Sequence, residues 1–159
     1  MSSSQNQVLL YQLAYQLSQE KLSSQADAAI GADSRAMSFS GLSLTTGALL
    51  IGLAKESFIP IAALAGGGVL IAAASIAAYS ARPIDFRFPG ANFNDLSSDI
   101  SKNVDLIIVL DELGKFTEKH IQENNKILAE NANTLKQSIY FAIFGMIVAL
   151  VPQLLSAMN

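Results

Sequence analysis

Residues 36–81 constrain this chain more than anything else in it, because the only charges in that run are the adjacent Lys55 and Glu56. An α-helix rises about 1.5 Å per residue and must cross roughly 30 Å of hydrocarbon, so residues 36–54 and 57–81 each suffice for one crossing. Arg35 and Arg82 bound the pair, and Lys55-Glu56 is the turn between them. No charge follows Lys136, and the run SIYFAIFGMIVALV continues into further apolar residues. That run predicts a third crossing over about 137–158, broken or bent near Pro152. The expected fold is therefore an all-α membrane protein with three transmembrane helices and with N-terminal and central cytosolic helices. Its parts are an N-terminal cytosolic helix (1–35), a transmembrane hairpin (36–81), a cytosolic linker with helices (82–136) and the third transmembrane helix (137–159).

Composition agrees with a chain that uses lipid in place of a large water-excluded core. Hydrophobic residues make up 51% and charged residues 14%, with a mean hydropathy of +0.37. The absence of cysteine excludes disulfides, thiolate metal sites and cysteine nucleophiles. A net charge of −3 gives no reason to expect nucleic acid as a partner. The N-terminus lacks a basic segment and a cleavage site, so no signal peptide is expected and the first crossing serves as the insertion signal.

Val8, Leu9, Leu10, Tyr11, Leu13, Ala14, Tyr15, Leu17 and Leu22 supply apolar contacts at helical spacing among glutamines and serines, predicting a helix over about 5–29 that packs on other cytosolic helices. It either continues through residues 32–35 into the first crossing or bends at Gly31. Within the crossings, small residues stand four apart: Ser43/Gly47, Ala48/Gly52, Ala62/Gly66, Ala63/Gly67, Gly68/Ala72 and Ala73/Ala77. In lipid such spacing lets helix backbones approach closely, which marks Gly47, Gly52, Gly66, Gly67 and Gly68 as packing positions. The Gly66–Gly68 run is either a hinge or a close crossing point. The hydroxyls of the first crossing (Ser38, Ser40, Ser43, Thr45, Thr46) either line a polar path or bond back to their own helix.

Two prolines and Gly90 preclude a regular helix in the segment that follows Arg82. Arg82 and Arg87 there are candidates for lipid-headgroup phosphates or another anionic ligand, and Phe86, Phe88 and Phe93 for interfacial anchors or a cover over a helix pair. Helical character returns at Asn94, a candidate N-cap, with Ile100, Val104, Ile107, Ile108 and Leu110 as one apolar face ahead of Gly114. A second helical run, 115–136, sets Phe116, Ile121, Leu128 and Leu135 among charges. His120, Asn124 and Asn131 interrupt that apolar series as polar positions do in packed helices of fixed register, which predicts a homo-oligomer.

Nine of the ten lysines and arginines fall in the N-terminal and 82–136 segments, against Lys55 alone on the other side. The positive-inside rule then predicts a multi-pass protein of the cell inner membrane with a cytoplasmic N-terminus and a periplasmic C-terminus. Catalytic constellations are not evident. His120 is the only histidine, which excludes a two-histidine zinc motif, and Asp111-Glu112 diverge by about 100° on a helix. No enzyme activity, metal or cofactor is expected.

At Ala32-Asp33-Ser34-Arg35-Ala36, leading directly into a serine- and glycine-containing crossing, the chain resembles small bacterial multi-helix membrane effectors of anti-phage defence, namely the Pycsar transmembrane effectors and the SLATT-type proteins. Asp33 and Arg35 map onto the acidic-x-basic-Ala junction, where capping and headgroup contact is an equal reading. The resemblance implies a membrane-disrupting protein, held silent until a cyclic-nucleotide signal reaches its cytosolic helices. A non-catalytic membrane anchor or scaffold, whose cytosolic helices dock a partner protein, is the alternative. The expected partners are thus the lipid bilayer, further copies of the chain and a cyclic nucleotide.

Overall fold

The computed structural model describes residues 3–82, 85–90 and 93–158. It is 88% helical, with no strand among the described residues. The elements are α1 (Ser3–Gly52), a short 3-10 turn (Ala54–Glu56), α2 (Pro60–Ser80), α3 (Phe93–Ser101) and α4 (Leu106–Ala157). They form two compact units. One comprises residues 1–29 and 85–128, the other residues 30–84 and 129–159, so α1 and α4 each contribute to both.

Helix boundaries depart from the sequence expectation where local chemistry decides them. α1 runs without interruption through Gly31, because one glycine costs a helix only about 1 kcal/mol. It ends at Gly52, and α2 begins at Pro60 rather than Ser57. Proline keeps Ile59 out of the helical region (φ −128°, ψ 87°) and suits the first helical position, whose N–H needs no partner. The helix expected from Asn94 through Leu110 is two helices. Asn103 adopts φ 52°, Val104 N–H donates to Asp99 O (3.0 Å) and Asn103 N–H to Ile100 O (3.2 Å), a Schellman termination of α3. Asp105 then caps α4, its Oδ1 accepting from Ile107 N–H at 2.9 Å. Once started, α4 does not stop at Gly114 or Pro152, so the expected 115–136 helix and third apolar run are parts of one helix. The expected cap at Asn94 and anchor at Phe93 fall on side chains outside the described residues.

By length and composition two helices can cross a membrane, α2 and α4. α2's 21 residues span about 30 Å, the thickness of a hydrocarbon core. Its apolar window is 44% buried and that of α4 only 22%, so most of α4's apolar surface is not consumed by packing within the protein. The apolar end of α1, expected as the first crossing, is not among the two helices that qualify. Arg35, five hydroxyl residues and the end at Gly52 shorten and dilute its apolar run.

In the unit that holds residues 30–84 and 129–159, α2 lies antiparallel between α1 and α4. Neighbouring residues on a helix point about 100° apart, so each adjacent pair of small residues serves both partners. Gly67 opposes Gly47 of α1 while Gly66 opposes Gly145 and Ala149 of α4. One heptad on, Ala74 O accepts from Ser40 Oγ of α1 (2.8 Å) and Ala73 O from Ser138 Oγ of α4 (2.7 Å). At the start of α2, the Gln153 amide accepts from Ile59 N–H (3.0 Å) and donates to Ile59 O (2.8 Å).

The other unit packs the first part of α1 in parallel on the first part of α4 around Leu22, Ala26, Leu110 and Ile121. The polarity of this interface differs from expectation. Leu9, Leu10, Leu13 and Leu17 are exposed, whereas Gln19 and Gln25 turn toward α4. The inward stripe follows Tyr15, Gln19, Leu22, Gln25 and Ala26 at helical spacing, so Tyr15 and Leu22 of the expected apolar series face α4 while Leu9, Leu10, Leu13 and Leu17 lie on the opposite face. On α4 the buried line is Thr117, Ile121 and Asn124, while Phe116 meets His120 with ring centres 4.1 Å apart and planes tilted by 58°, and remains 55% exposed.

Candidate functional site

The polar side chains gather in two places, one in each unit. In the first unit, amides fasten the non-helical segment 85–90. Asn124, fully buried, accepts from Arg87 N–H (3.0 Å) and donates to Arg87 O (2.8 Å), occupying both backbone groups of one residue. Gly90 has φ 112°, a backbone favoured by glycine, and its N–H donates to Gln19 Oε1 (2.8 Å). Gln19 Nε2 donates onward to Thr117 Oγ1 at 3.0 Å, whose hydroxyl bonds Leu113 O. Gln25 Nε2 donates to Asn125 Oδ1 (2.7 Å) and Ile121 O (3.1 Å). Asn124, expected to limit register between copies, is therefore committed to the linker within its own chain.

The same segment carries Arg87, whose guanidinium lies 3.4 Å from Glu123 in a half-exposed ion pair. Phe86 and Phe88 meet edge to face at 6.2 Å. Arg82 belongs to the other unit and stacks 4.0 Å above the Tyr79 ring. The two arginines grouped by the sequence reading thus have separate, local engagements.

The second place is a cleft of about 290 Å³ in the unit of residues 30–84 and 129–159. α1 supplies Asp33 and Arg35, α2 its last residue Ser80, and α4 contributes Asn131, Leu135 and Lys136. The junction residues meet there because α1 and α4 both run antiparallel to α2 in this unit, which brings the last charges before their apolar runs to one level. Arg35 Nε donates to Gly31 O at 3.0 Å, and the Lys136 ammonium sits 5.9 Å from the Tyr140 ring. The ion pairs among the described residues join Arg87 to Glu123, Lys115 to Asp111 and Lys119 to Glu123. The charges of Asp33, Arg35 and Lys136 are consequently not neutralised by one another. Sequence reasoning found Asp33 and Arg35 but not Asn131, Ser80 or Lys136, although Lys136 was marked as the last charge of the chain.

Of the packing glycines, Gly47, Gly66 and Gly67 stand at close backbone crossings. A Cβ on Gly47 or Gly67 would lie 2.8 Å from the other's carbonyl oxygen, and one on Gly66 would lie 2.5 Å from Ala149 Cβ. Gly52 and Gly68 face open space, with nothing within 4 Å of such a Cβ, and are not packing positions within the chain. Gly145, not singled out in the sequence, is the true partner of Gly66. Its signal was there, in a glycine inside the most apolar stretch of α4.

Among the described residues no group of three histidine or acidic side chains is placed to share a metal ion. No family model matches this sequence, and no curated protein or solved structure is significantly similar to it.

Proposed function

We propose that the chain spans the inner membrane three times, through the apolar parts of α1, α2 and α4, and acts as a signal-gated, membrane-disrupting effector of the anti-phage type. It works as a homo-oligomer. The observation that carries this reading is a line of small and hydroxyl residues on the outer face of α1: Ser34, Ser38, Gly41, Thr45, Ala48 and Gly52, all exposed and spaced alternately four and three apart. The opposite face of α1 is closed by the Gly47–Gly67 contact, so the hydroxyl line is available to another copy and not to its own partners. Ser38 Oγ donates to Ser34 O and Thr45 Oγ1 to Gly41 O, both at 2.9 Å. Bonded back in this way the hydroxyls tolerate lipid, and they can turn to water once several copies bring their lines together. Nine basic residues on one side support a cytoplasmic N-terminus and a periplasmic C-terminus.

A cyclic nucleotide is the signal this reading entails, and it acts only through different affinity for the silent and assembled states. The scaffold alternative draws on a different observation: exposed Leu10, Leu13 and Leu17 form an apolar face suited to a partner helix.

A C-terminal alkaline phosphatase fusion is expected to be active and a C-terminal fluorescent protein dark; the reverse pattern overturns the topology. The function is tested by membrane potential. Expression alone should be tolerated, while co-expression with a nucleotide cyclase should depolarise cells within minutes, as read with a voltage-sensitive dye. Thr45→Leu, at an exposed position, should abolish depolarisation at unchanged protein level. Persistent polarisation across a panel of cyclic nucleotides, with the protein in the membrane, rejects the effector and favours the scaffold.

A further inference from the structure

We infer that the cleft between Arg35 and Lys136 is a binding site for a phosphodiester whose far end carries a hydrogen-bond donor, supplied by a membrane lipid headgroup. The inference rests on the membrane reading above. It identifies a ligand that the reading does not assign.

The argument begins with charge. Arg35 and Lys136 come from different helices, line one cleft of about 290 Å³, and spend neither charge on a carboxylate. Guanidinium offers a planar fork that matches two phosphate oxygens, and ammonium adds a compact point charge. Asn131 adds an amide donor to the same wall. Asp33 shares the cleft and repels a bare anion, yet its carboxylate accepts from an ammonium or hydroxyl. A phosphate followed by an ethanolamine or a glycerol satisfies both ends of this arrangement. Phosphocholine satisfies only one, because its quaternary nitrogen has no N–H to give.

The walls point to a lipid as the source. Leu135 and Ile139 continue the cleft into the apolar run of α4, so a headgroup held by Arg35 and Lys136 has its glycerol and acyl carbons directed along apolar side chains. Lipid held there bridges α1 and α4 at the point where each leaves its charged segment. A soluble phosphodiester such as a cyclic nucleotide has the same phosphate chemistry but no use for those walls.

The test uses the full chain, purified in mild detergent and presented with dioleoyl phosphatidylethanolamine, phosphatidylglycerol or phosphatidylcholine, with retained lipid counted by native mass spectrometry. Phosphatidylethanolamine and phosphatidylglycerol should be retained in preference to phosphatidylcholine. Arg35→Gln with Lys136→Gln, both on exposed side chains, should lower retention about tenfold, the order expected from losing a charge-assisted contact. Asp33→Ala, which removes the acceptor, should keep phospholipid but lose the preference between headgroups. Lys55→Gln, in the turn before α2, should change nothing. Equal retention by all variants, with unchanged circular dichroism, overturns the site. A cyclic nucleotide that displaces lipid from the parent but not from the double variant keeps the phosphodiester site and reassigns its source. Carbonate extraction is run alongside. Release of the chain from membranes rejects the membrane reading itself, and the site is then judged on nucleotide binding by the parent against the double variant.

Discussion

Gly66→Leu is expected to undo the packing of α2 on α4, with a fall in thermal midpoint of roughly 10 °C for the detergent-purified protein, from about 3 kcal/mol of overpacking at a few degrees per kcal/mol. The size follows from what surrounds the position. A Cβ there meets Ala149 Cβ at 2.5 Å, Gly145 O at 2.6 Å and Ala149 N at 2.8 Å, and two of those three atoms are backbone. A side chain end can rotate away, but a helix backbone cannot yield locally, so the two helices must separate along their length. Separation would also part Ser138 Oγ from Ala73 O and the Gln153 amide from Ile59, since all three hydrogen bonds join α4 to α2 or the residue that precedes it. Gly67→Leu should act similarly against α1, where the Gly47 carbonyl oxygen stands 2.8 Å away and Ile51 at 2.7 Å. Gly68→Leu is the internal comparison. It lies next in sequence, has nothing within 4 Å, and should leave the midpoint unchanged or slightly raised, because leucine is a better helix former than glycine by almost 1 kcal/mol. Equal damage from Gly66→Leu and Gly68→Leu would show that the packed face is not the one described.

The three adjacent glycines illustrate what a single sequence conveys. Spacing of four identified small faces in residues 36–81, and Gly47, Gly66 and Gly67 do stand at helix contacts. Spacing does not say which neighbour each face meets. Gly52 and Gly68 satisfy the same rule and face outward, while Gly145 and Ala149, also four apart and both against Gly66, lie in the third apolar run, outside the residues 36–81 where the spacing was sought. Pattern reports a face; only the third dimension reports its partner. The same gap explains the glutamines. Gln19 and Gln25 were read as the polar side of an amphipathic helix, since exposed amides are the commoner case. Here they face α4 because Thr117, Asn125 and the Ile121 carbonyl offer them partners, and Leu10, Leu13 and Leu17 are turned outward as a result. The break at Asn103 was legible. Asn ahead of an Asp two residues on is a termination and a cap in sequence, but a continuous apolar series from Ile100 to Leu110 concealed it. For the cleft, the charges that precede the apolar runs were visible, whereas their convergence from Arg35 and Lys136, a hundred residues apart, depends on how α1 and α4 pair with α2.

Asn124→Asp is expected to release the segment 85–90 at neutral pH and to hold it again in acid. Asn124 is fully buried and uses its amide as both donor and acceptor, taking Arg87 N–H and giving to Arg87 O. An ionised carboxylate at this position can still accept from Arg87 N–H, but it has no hydrogen to give and meets a carbonyl oxygen at hydrogen-bond range. The cost of a buried charge beside an unpaired carbonyl is about 2–4 kcal/mol, large against a unit fastened by a few amides. Protonation restores a donor, so the folded state favours the neutral acid and holds its pKa above the usual carboxylate range. The direction follows: a group whose folded pKa is raised lends stability below the unfolded value and loses it as pH rises through the folded value. Hydrogen exchange of Arg87 and Gly90 amides should therefore be fast in the variant at pH 7 and slow toward the parent's as pH falls to about 4, after correction for intrinsic exchange. Asn124→Leu, of similar volume but with neither donor nor acceptor, should exchange fast at every pH. The contrast separates loss of the hydrogen-bond pair from loss of packing. A variant Asn124→Asp that keeps the parent's protection at pH 7 would mean that the Asn124 amide does not hold the linker and that the Arg87–Glu123 pair and the Gly90–Gln19 hydrogen bond suffice.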